Sequence, residues 1–336
     1  MMKTGLLLLL GCAVCLGQTW IPQQSGSTSS LRGVSAVGGG VVWGSGTVGT
    51  WLRTTDGGAT WQTGSVPGAD GLDFRGIRAF DAKSAVLMSS GPGDKSKIYA
   101  TGDAGKTWKL LFQNPDATGF FDSIAFADRK HGLLMGDQVG GQMTLFRTSD
   151  GGSHWSRVAL PAAVAGEGGF AASNSCISLD GKNVRIATGG KGTGRVYLSS
   201  DSGSTWKVVD TPIRKDSSSA GIFSIAFSDR RHGIVVGGEY TKAAETDGNI
   251  ALTSDGGRTW LASKGTPPAG YRSSVAYMAK AKIWITTGTS GSDISGDGGA
   301  NWRTFDSKAY NAISVAPDGS AWAVGPKGSI ASFQLR

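Results

Sequence analysis

The side chains best suited to acid–base chemistry in this sequence are a few carboxylates and tyrosines in glycine-rich segments. Among 336 residues only three are glutamates, Glu167, Glu239 and Glu245, and Tyr240 directly follows Glu239. A carboxyl group beside a tyrosine can provide the acid and base that cleave a glycosidic bond. The candidates for such catalysis are Glu167, Glu239, Tyr240, Asp122 and Tyr271.

A second group of polar residues is suited to binding an anion. Arg32, Arg75 and Arg272 lie near the beginning of similar segments along the chain, and Asn311 has the corresponding place in the last of them. Guanidinium groups from different segments can together hold a carboxylate or a sulfate. We therefore predict that these four residues bind a ligand or a partner.

The most numerous regularly spaced carboxylates have a different role. Six times the chain repeats the pattern Ser/Thr-x-Asp-x-Gly-x-x-Trp, with intervals of 47, 47, 51, 54 and 42 residues between the aspartates. Six repeated aspartates are not six catalytic acids, and each can accept backbone N–H bonds within a tight hairpin. We predict a structural role for Asp56, Asp103, Asp150, Asp201, Asp255 and Asp297.

These repeats predict the elements that position the other candidates. A period of this length with about four short strands per repeat indicates the blades of a β-propeller. The loops that enter each inner strand and the loops between second and third strands then open on one face. That face is expected to carry the three glutamates and the following residues: Arg32, Arg75, Asp122, Asp137, Phe223, Tyr240, Tyr271, Arg272, Ser273 and Asn311.

We predict an all-β fold with a single propeller of seven blades. The last blade has three strands before the chain ends, and Thr19-Trp20 matches the Thr-Trp pair that begins the fourth strand elsewhere. The N-terminal strand 19–24 is therefore expected to complete blade 7, which removes an exposed sheet edge. The predicted blades span approximately 30–67, 73–114, 118–161, 168–213, 219–265, 269–307 and 309–335, within a propeller of residues 18–336.

The first 17 residues are typical of a secretory signal peptide. Lys3 precedes an apolar core that begins with Leu6–Leu10, and Cys15-Leu16-Gly17 is a small-x-small cleavage site. Leu9-Leu10-Gly11-Cys12 also resembles a lipoprotein signal, so a lipid anchor on Cys12 is the alternative. Both predict an exported, periplasmic or secreted protein without a transmembrane segment. Cys176 then stands alone in an apolar strand and is expected to be buried and inert.

Charge and composition limit the possible partners. The net charge of +8 favours an acidic partner, either an acidic glycan or a protein surface. No basic run is long enough to follow a nucleic-acid backbone, so nucleic acid is not expected. The three histidines are dispersed, and we predict neither a metal site nor a cofactor. We expect a monomer.

The repeats resemble the Asp-box, or BNR, repeat of sialidases and related propellers. Ile124-Ala-Phe126 and His131 to Gly136, followed by Thr148-x-Asp-Gly-Gly, are similar to the photosystem II stability/assembly factor family. Blade 5 repeats this pattern, and Trp322-Ala-Val-Gly325-Pro-Lys-Gly328 follows it in blade 7. The resemblance covers about residues 19–336 and implies a binding or assembly scaffold. The Phe-Arg-Ile-Pro motif of sialidases is missing, since Phe74-Arg75-Gly76-Ile77 matches it only in part.

Two functions therefore follow from the sequence. The first is an exported scaffold that engages a partner through its polar face, as the resemblance implies. The alternative is a glycoside hydrolase or a lyase that acts on sialylated, uronate or sulfated glycans. The fold supports many activities, so the side chains on this face have to decide between the two.

Overall fold

The computed structural model describes residues 17–335, which form seven four-stranded antiparallel blades in a ring. The predicted signal peptide and Cys12 lie outside the described residues, so export and lipid anchoring stay predictions. Within residues 17–335, no helix has the length and apolar character needed to cross a membrane. The all-β, seven-bladed propeller is confirmed.

The first half of the ring is regular. Its strands are β1 (Gln18–Gln23), β2 (Leu31–Gly38), β3 (Val41–Gly46), β4 (Thr50–Thr54) and β5 (Gln62–Ser65), then β6 (Asp73–Ala79), β7 (Ala85–Ser90), β8 (Lys97–Thr101) and β9 (Lys109–Gln113), then β10 (Phe121–Phe126), β11 (Gly132–Val139), β12 (Gln142–Thr148) and β13 (Ser156–Arg157). Blade 1 is β2–β5, blade 2 is β6–β9 and blade 3 is β10–β13.

The second half contains one irregularity between blades 4 and 5. Its strands are β14 (Glu167–Gly168), β15 (Ile177–Asp180), β16 (Asn183–Ala187), β17 (Gly189–Gly190), β18 (Arg195–Ser199) and β19 (Lys207–Asp210), then β20 (Ala220–Phe227), β21 (Gly233–Glu239), β22 (Ile250–Thr253) and β23 (Leu261–Ala262), then β24 (Ser274–Met278), β25 (Ile283–Gly288), β26 (Gly291–Ser295) and β27 (Arg303–Asp306), and finally β28 (Ala312–Val315), β29 (Ala321–Val324) and β30 (Ile330–Leu335). The short strands β14 and β17 extend the sheet of blade 5. Two single-turn 3-10 helices span Gly93–Lys95 and Tyr240–Lys242.

The ring closes as predicted, because β1 pairs antiparallel with β30 and becomes the outer strand of blade 7. Trp20 is 2% exposed, and its Nε1 donates to Ser292 Oγ of blade 6 at 3.0 Å. Its ring also packs against Tyr310 and Phe333. Closure therefore joins both ends of the chain through a buried apolar contact and a sheet ladder.

The core consists of apolar clusters between neighbouring blades, each built from the alternating inward side chains of two sheets. Trp43, Phe74, Ile77 and Leu87 join blades 1 and 2, for example, and are at most 2% exposed. Cys176 is buried with a free thiol. Each blade thus presents the two faces of its sheet to its neighbours.

The repeated aspartates close the hairpins between third and fourth strands. In the first box, Asp56 Oδ1 accepts from the Thr60 amide at 2.9 Å, and Asp56 Oδ2 accepts from Thr60 Oγ1 at 2.6 Å. Thr54 Oγ1 in turn donates to Asp56 Oδ1 and accepts from the Gly58 amide. These hydrogen bonds lower the pKa of Asp56 to about 2. The box carboxylates are engaged inside their own hairpins, on the face opposite the loops that enter the inner strands.

Candidate functional site

A cavity of about 490 Å³ opens at the centre of the ring, on the face predicted from the repeats. We call it the axial cavity, since residues or entering loops of all seven blades line it. Its lining includes Arg32, Arg75, Asp122, Asp137, Phe170, Phe223, Tyr240, Tyr271 and Asn311. Six of the nine catalytic and binding residues predicted from the sequence are among them, namely Arg32, Arg75, Asp122, Tyr240, Tyr271 and Asn311.

A repeated backbone irregularity aims four of these side chains at the axis. In blades 1, 2, 3 and 5 the inner strand carries one extra residue against the second strand, and that residue is Arg32, Arg75, Asp122 or Phe223. A β-bulge turns the extra side chain away from the regular alternation of the strand. The same irregularity therefore converts four sheet positions into cavity positions.

The basic wall consists of Arg32 and Arg75. Arg75 Nε donates to Asp73 Oδ2 at 2.7 Å, whereas Arg32 Nε is buried and has no hydrogen-bond partner within residues 17–335. Burial lowers the pKa of Arg32, and the charge of Arg75 lowers this pKa further, against the opposing effects of Asp73 and Tyr271. Asp73 is the only carboxylate in the described part of the chain that forms an ion pair with either guanidinium group, and an additional anion would be stabilised between them.

Two aspartates line the cavity beside this wall. Asp122 is 2% exposed, and its Oδ2 has no partner in the described part of the chain. Burial raises the pKa of Asp122 well above its ordinary value, the nearby Asp137 raises it further, and Arg75 acts in the opposite direction. Burial also raises the pKa of Asp137, which accepts the Gly169 amide at 2.9 Å. These effects favour the protonated, neutral form of Asp122, which can donate a hydrogen bond.

Aromatic rings form the opposite wall. Phe170 stacks on Phe223 at a centroid distance of 3.8 Å, and Tyr271 meets Phe223 edge-on at 4.7 Å. Tyr240 stands at the rim and is 50% exposed. Burial raises the pKa of Tyr271, which favours the protonated form of its phenol. The cavity thus combines an apolar wall with a cationic wall, which suits a ligand that has both characters.

Arg272 is the predicted binding residue that lies elsewhere. It is fully buried, and its Nε donates to Asp293 Oδ2 at 2.6 Å. Arg272 occupies the repeat position of Leu31, Phe121, Ile222 and Tyr310, one residue before the cavity position, which Ser273 takes in blade 6. Because successive side chains of an extended strand alternate in direction, Arg272 enters the layer between blades. The prediction that it joins Arg32 and Arg75 is wrong.

The glutamates also do not line the cavity, contrary to their predicted use as an acid or base there. Glu167 is 2% exposed and forms an ion pair with Arg195 of blade 4, while it also accepts from Thr188 Oγ1 at 2.6 Å. Glu239 is buried at the end of β21. Burial acts to raise its pKa, but the hydrogen bonds that Ser217 and Thr241 donate outweigh this effect and contribute to a pKa of about 2. Glu245 pairs with Arg214. All three therefore stabilise loops around the cavity.

Sequence reasoning missed several members of the site. Asp73 forms an ion pair with Arg75, two residues further along β6. Because residues i and i+2 of a strand lie on the same face, the sequence could have predicted this pair. Phe120 directly precedes the inner strand of blade 3 and Phe170 lies in the loop that leads into blade 4, and no local pattern marks them. Asn311 was predicted, and its Nδ2 donates to the Leu31 carbonyl at 2.7 Å, which leaves its amide oxygen for a ligand. Within residues 17–335, no cluster of three metal-ligating side chains is present.

Comparisons with known proteins identify the architecture. No protein-family model and no curated protein matches the chain. Among solved structures, YCF48 bound to a D1 peptide aligns with a TM-score of 0.68 and 15% identity over 98% of this chain and 100% of that one. YCF48 from Cyanidioschyzon merolae aligns with a TM-score of 0.65 and 16% identity over 94% and 98%. A streptogramin B lyase aligns with a TM-score of 0.66 and 14% identity over 95% and 98%. At these identities the likeness shows the fold alone.

Proposed function

We propose that this protein is a binding scaffold whose axial cavity receives a carboxylate-bearing segment of a partner protein. The observation that carries the proposal is the pair Arg32 and Arg75, since Arg75 pairs with Asp73 whereas Arg32 forms no ion pair within residues 17–335 and its buried Nε has no hydrogen-bond partner there. A segment with an acidic side chain or a free C-terminus would place its carboxylate between these guanidinium groups. An apolar neighbour in the segment would then contact Phe170, Phe223 and Tyr240.

Two further facts support a peptide segment over a folded surface. The cavity is concave and has a volume of about 490 Å³, which admits a few side chains but no globular domain. YCF48, a propeller of similar shape, binds a D1 peptide. The predicted export of this chain, which depends on residues 1–17, makes the partner a protein outside the cytoplasm. We propose that the scaffold acts as a monomer without a cofactor.

The test is a selection of peptides followed by measured affinities. A library of labelled peptides with free C-termini is selected on the protein, and the selected peptides are made as acids and as amides. Arg32→Gln and Arg75→Gln should each weaken binding of the acid by about tenfold to a hundredfold, the cost of losing a charge-assisted hydrogen bond. Lys109→Gln, an exposed residue of blade 2, is the matched control and should bind as the wild type does.

Two results would contradict the proposal. One is a selection that enriches no peptide. The other is equal binding of acid and amide forms, or of acidic and neutral side chains, by wild type and by the Arg32→Gln, Arg75→Gln double variant. Thermal melting of each variant separates lost binding from lost folding.

A glycan-cleaving enzyme is the second candidate, and one observation favours it. Asp122 and Asp137 both have raised pKa values in the cavity that holds Arg32 and Arg75. A protonated carboxyl group can protonate a glycosidic oxygen, and the arginines can bind the acidic group of a uronate or sialoside. Incubation with uronate, sulfated and sialylated glycans should then release reducing ends or unsaturated products, and Asp122→Asn should abolish this. Absence of turnover by the wild type on every substrate would refute this candidate.

A further inference from the structure

A second cavity of about 400 Å³ lies between blades 4 and 5, on the face opposite the axial cavity. It is bounded by the hairpin turns of these blades and by the box of blade 5. Five cationic side chains line it, Arg185, Lys207, Arg230, Arg231 and Arg258, and the only carboxylate among its lining residues is Asp255. Both oxygens of Asp255 already accept hydrogen bonds within the box, from the Thr259 amide and its hydroxyl among others.

Arg185 is the unusual member of this cavity. The register of the second and third strands aligns it with a buried apolar residue in every other blade that has a box, and these residues are Trp43, Val86, Leu133, Ile234 and Ile285. Arg185 is 1% exposed, as buried as those side chains. Blade 4 thus has a cation at a position that is occupied by a buried apolar side chain in the other blades that have a box.

The surroundings fix the Arg185 guanidinium group but balance its charge only in part. Burial lowers the pKa of Arg185, and the charge of the nearby Asp180, which pairs with Arg230, opposes this effect without forming an ion pair with Arg185. Arg185 Nε donates to the Gly256 carbonyl at 3.0 Å, its Nη2 donates to the Arg230 carbonyl at 3.1 Å, and its Cζ lies 3.7 Å from the Phe227 ring centroid. Its Nη1 is buried without a partner, and no carboxylate of residues 17–335 forms an ion pair with it. The equally buried Arg272 shows the usual solution, an ion pair with Asp293.

A buried cation that forms no ion pair is costly, and a bound anion reduces that cost. Two neighbours are also held with free N–H groups at the cavity. Arg231 Nε donates to the Ser254 carbonyl at 3.2 Å, and Arg258 Nη1 donates to the Asp255 carbonyl at 2.9 Å. Guanidinium groups fixed by backbone carbonyls form a preorganised set of donors, and tetrahedral oxyanions have enough acceptor oxygens to meet several of them.

We propose that the cavity between blades 4 and 5 is an oxyanion site, which binds a sulfate or phosphate group through Arg185, Arg231 and Arg258. The site is separate from the axial cavity and does not depend on the function proposed for it. The group is carried either by a free ion or by a polyanionic glycan, and the open rim with Lys207 and Arg230 admits both. The two sources share the same recognition chemistry.

The experiment measures thermal melting of residues 18–336 while sodium sulfate replaces sodium chloride at constant ionic strength, with sodium phosphate as a parallel series. The wild type should show a saturable rise in melting temperature. Arg185→Leu, which installs the residue type that blade 3 has at this position, should lose the saturable component and keep only the general stabilisation by sulfate. Arg258→Gln at the rim should weaken the apparent affinity severalfold without touching the buried layer.

Lys109→Gln removes one exposed positive charge from blade 2 and is the matched control, expected to bind sulfate as the wild type does. A parallel measurement with dextran sulfate distinguishes the sources. Binding of the polymer that requires Arg185 supports recognition on a glycan, and saturation by the free ions supports the small anion. If wild type and Arg185→Leu respond identically to both, or if neither ion nor polymer binds the wild type, the proposed site does not exist.

Discussion

Replacing Glu167 by glutamine tests whether this residue stabilises the fold, as its surroundings indicate, instead of acting in catalysis. The carboxylate is completely buried, and Arg195, its ion-pair partner, is 14% exposed. Glu167 Oε1 accepts from Thr188 Oγ1 at 2.6 Å and from Arg195 Nε at 3.1 Å. Oε2 accepts from the Val164 amide at 3.0 Å and from Arg195 Nη2. The Glu167 carboxylate is thus the acceptor in each of these hydrogen bonds.

The expected loss in the free energy of unfolding follows from the fact that only donors contact the carboxylate. A glutamine has one acceptor oxygen, and its NH2 group would face donors in either orientation. Each buried donor left without an acceptor costs about 1–3 kcal/mol, and removing one partner of a buried ion pair costs about 3–5 kcal/mol. Thr188 Oγ1 has an alternative acceptor in the Arg195 carbonyl oxygen, so we expect the lower part of this range, about 3 kcal/mol.

Urea unfolding followed by tryptophan fluorescence measures the free energy of unfolding, with an unchanged m-value as the sign that the same transition is compared. Glu245→Gln is the control, because Glu245 pairs with Arg214 at the surface and should cost at most about 1 kcal/mol. Combining Glu167→Leu with Arg195→Met should cost less than Glu167→Leu alone, since no buried charge then remains unpaired. A loss below about 1 kcal/mol for Glu167→Gln would refute this reasoning.

Three further outcomes are expected. Trp20→Ala should lower the free energy of unfolding by about 3–5 kcal/mol in urea, since it empties the contact that closes the ring; a loss below about 1 kcal/mol would contradict the closure. The pKa of Asp122 in the folded state lies above its ordinary 3.8. Between the unfolded-state and folded-state pKa values, the folded protein therefore binds more protons than the unfolded protein, and the free energy of unfolding falls as the pH rises through this window. Asp122→Asn should therefore be more stable than wild type at pH 7 and lose this advantage below about pH 4; equal pH profiles would contradict it. Gly169→Ala should destabilise by about 1–3 kcal/mol in the same assay, because its Cβ would lie 2.3 Å from Asp122 Oδ2; a neutral effect would show that the bulge adapts.

Much of the axial cavity could be predicted because blades repeat. Aligning the boxes also aligns the beginnings of the inner strands, and this placed Arg32, Arg75, Asp122 and Asn311 on one face. The alignment even gave Ser273 as the cavity position of blade 6, one residue after Arg272. Treating both neighbours as facing the cavity ignored the alternation of side chains along an extended chain.

The glutamates show the limit of an argument from loops. Glu167, Glu239 and Glu245 lie in the segments expected at that face, but a loop position does not fix the direction of a side chain. Donors from distant segments decided it, such as Arg195 for Glu167 and Ser217 for Glu239. A carboxylate is buried only where such donors compensate the loss of its hydration. No local sequence pattern indicates which distant donors will contact it.

By itself the sequence determined the all-β class, the seven blades, the box hairpins and the closure by the N-terminal strand. These depend on hydrogen bonds within hairpins and on apolar alternation, which are local and repeat along the chain. The tertiary structure alone decided which polar groups meet, because partners such as Arg272 and Asp293 or Arg185 and the Gly256 carbonyl come from different strands or blades. Only packed blades show that the buried Arg272 forms an ion pair while the buried Arg185, beside an open cavity, forms none in the described part of the chain.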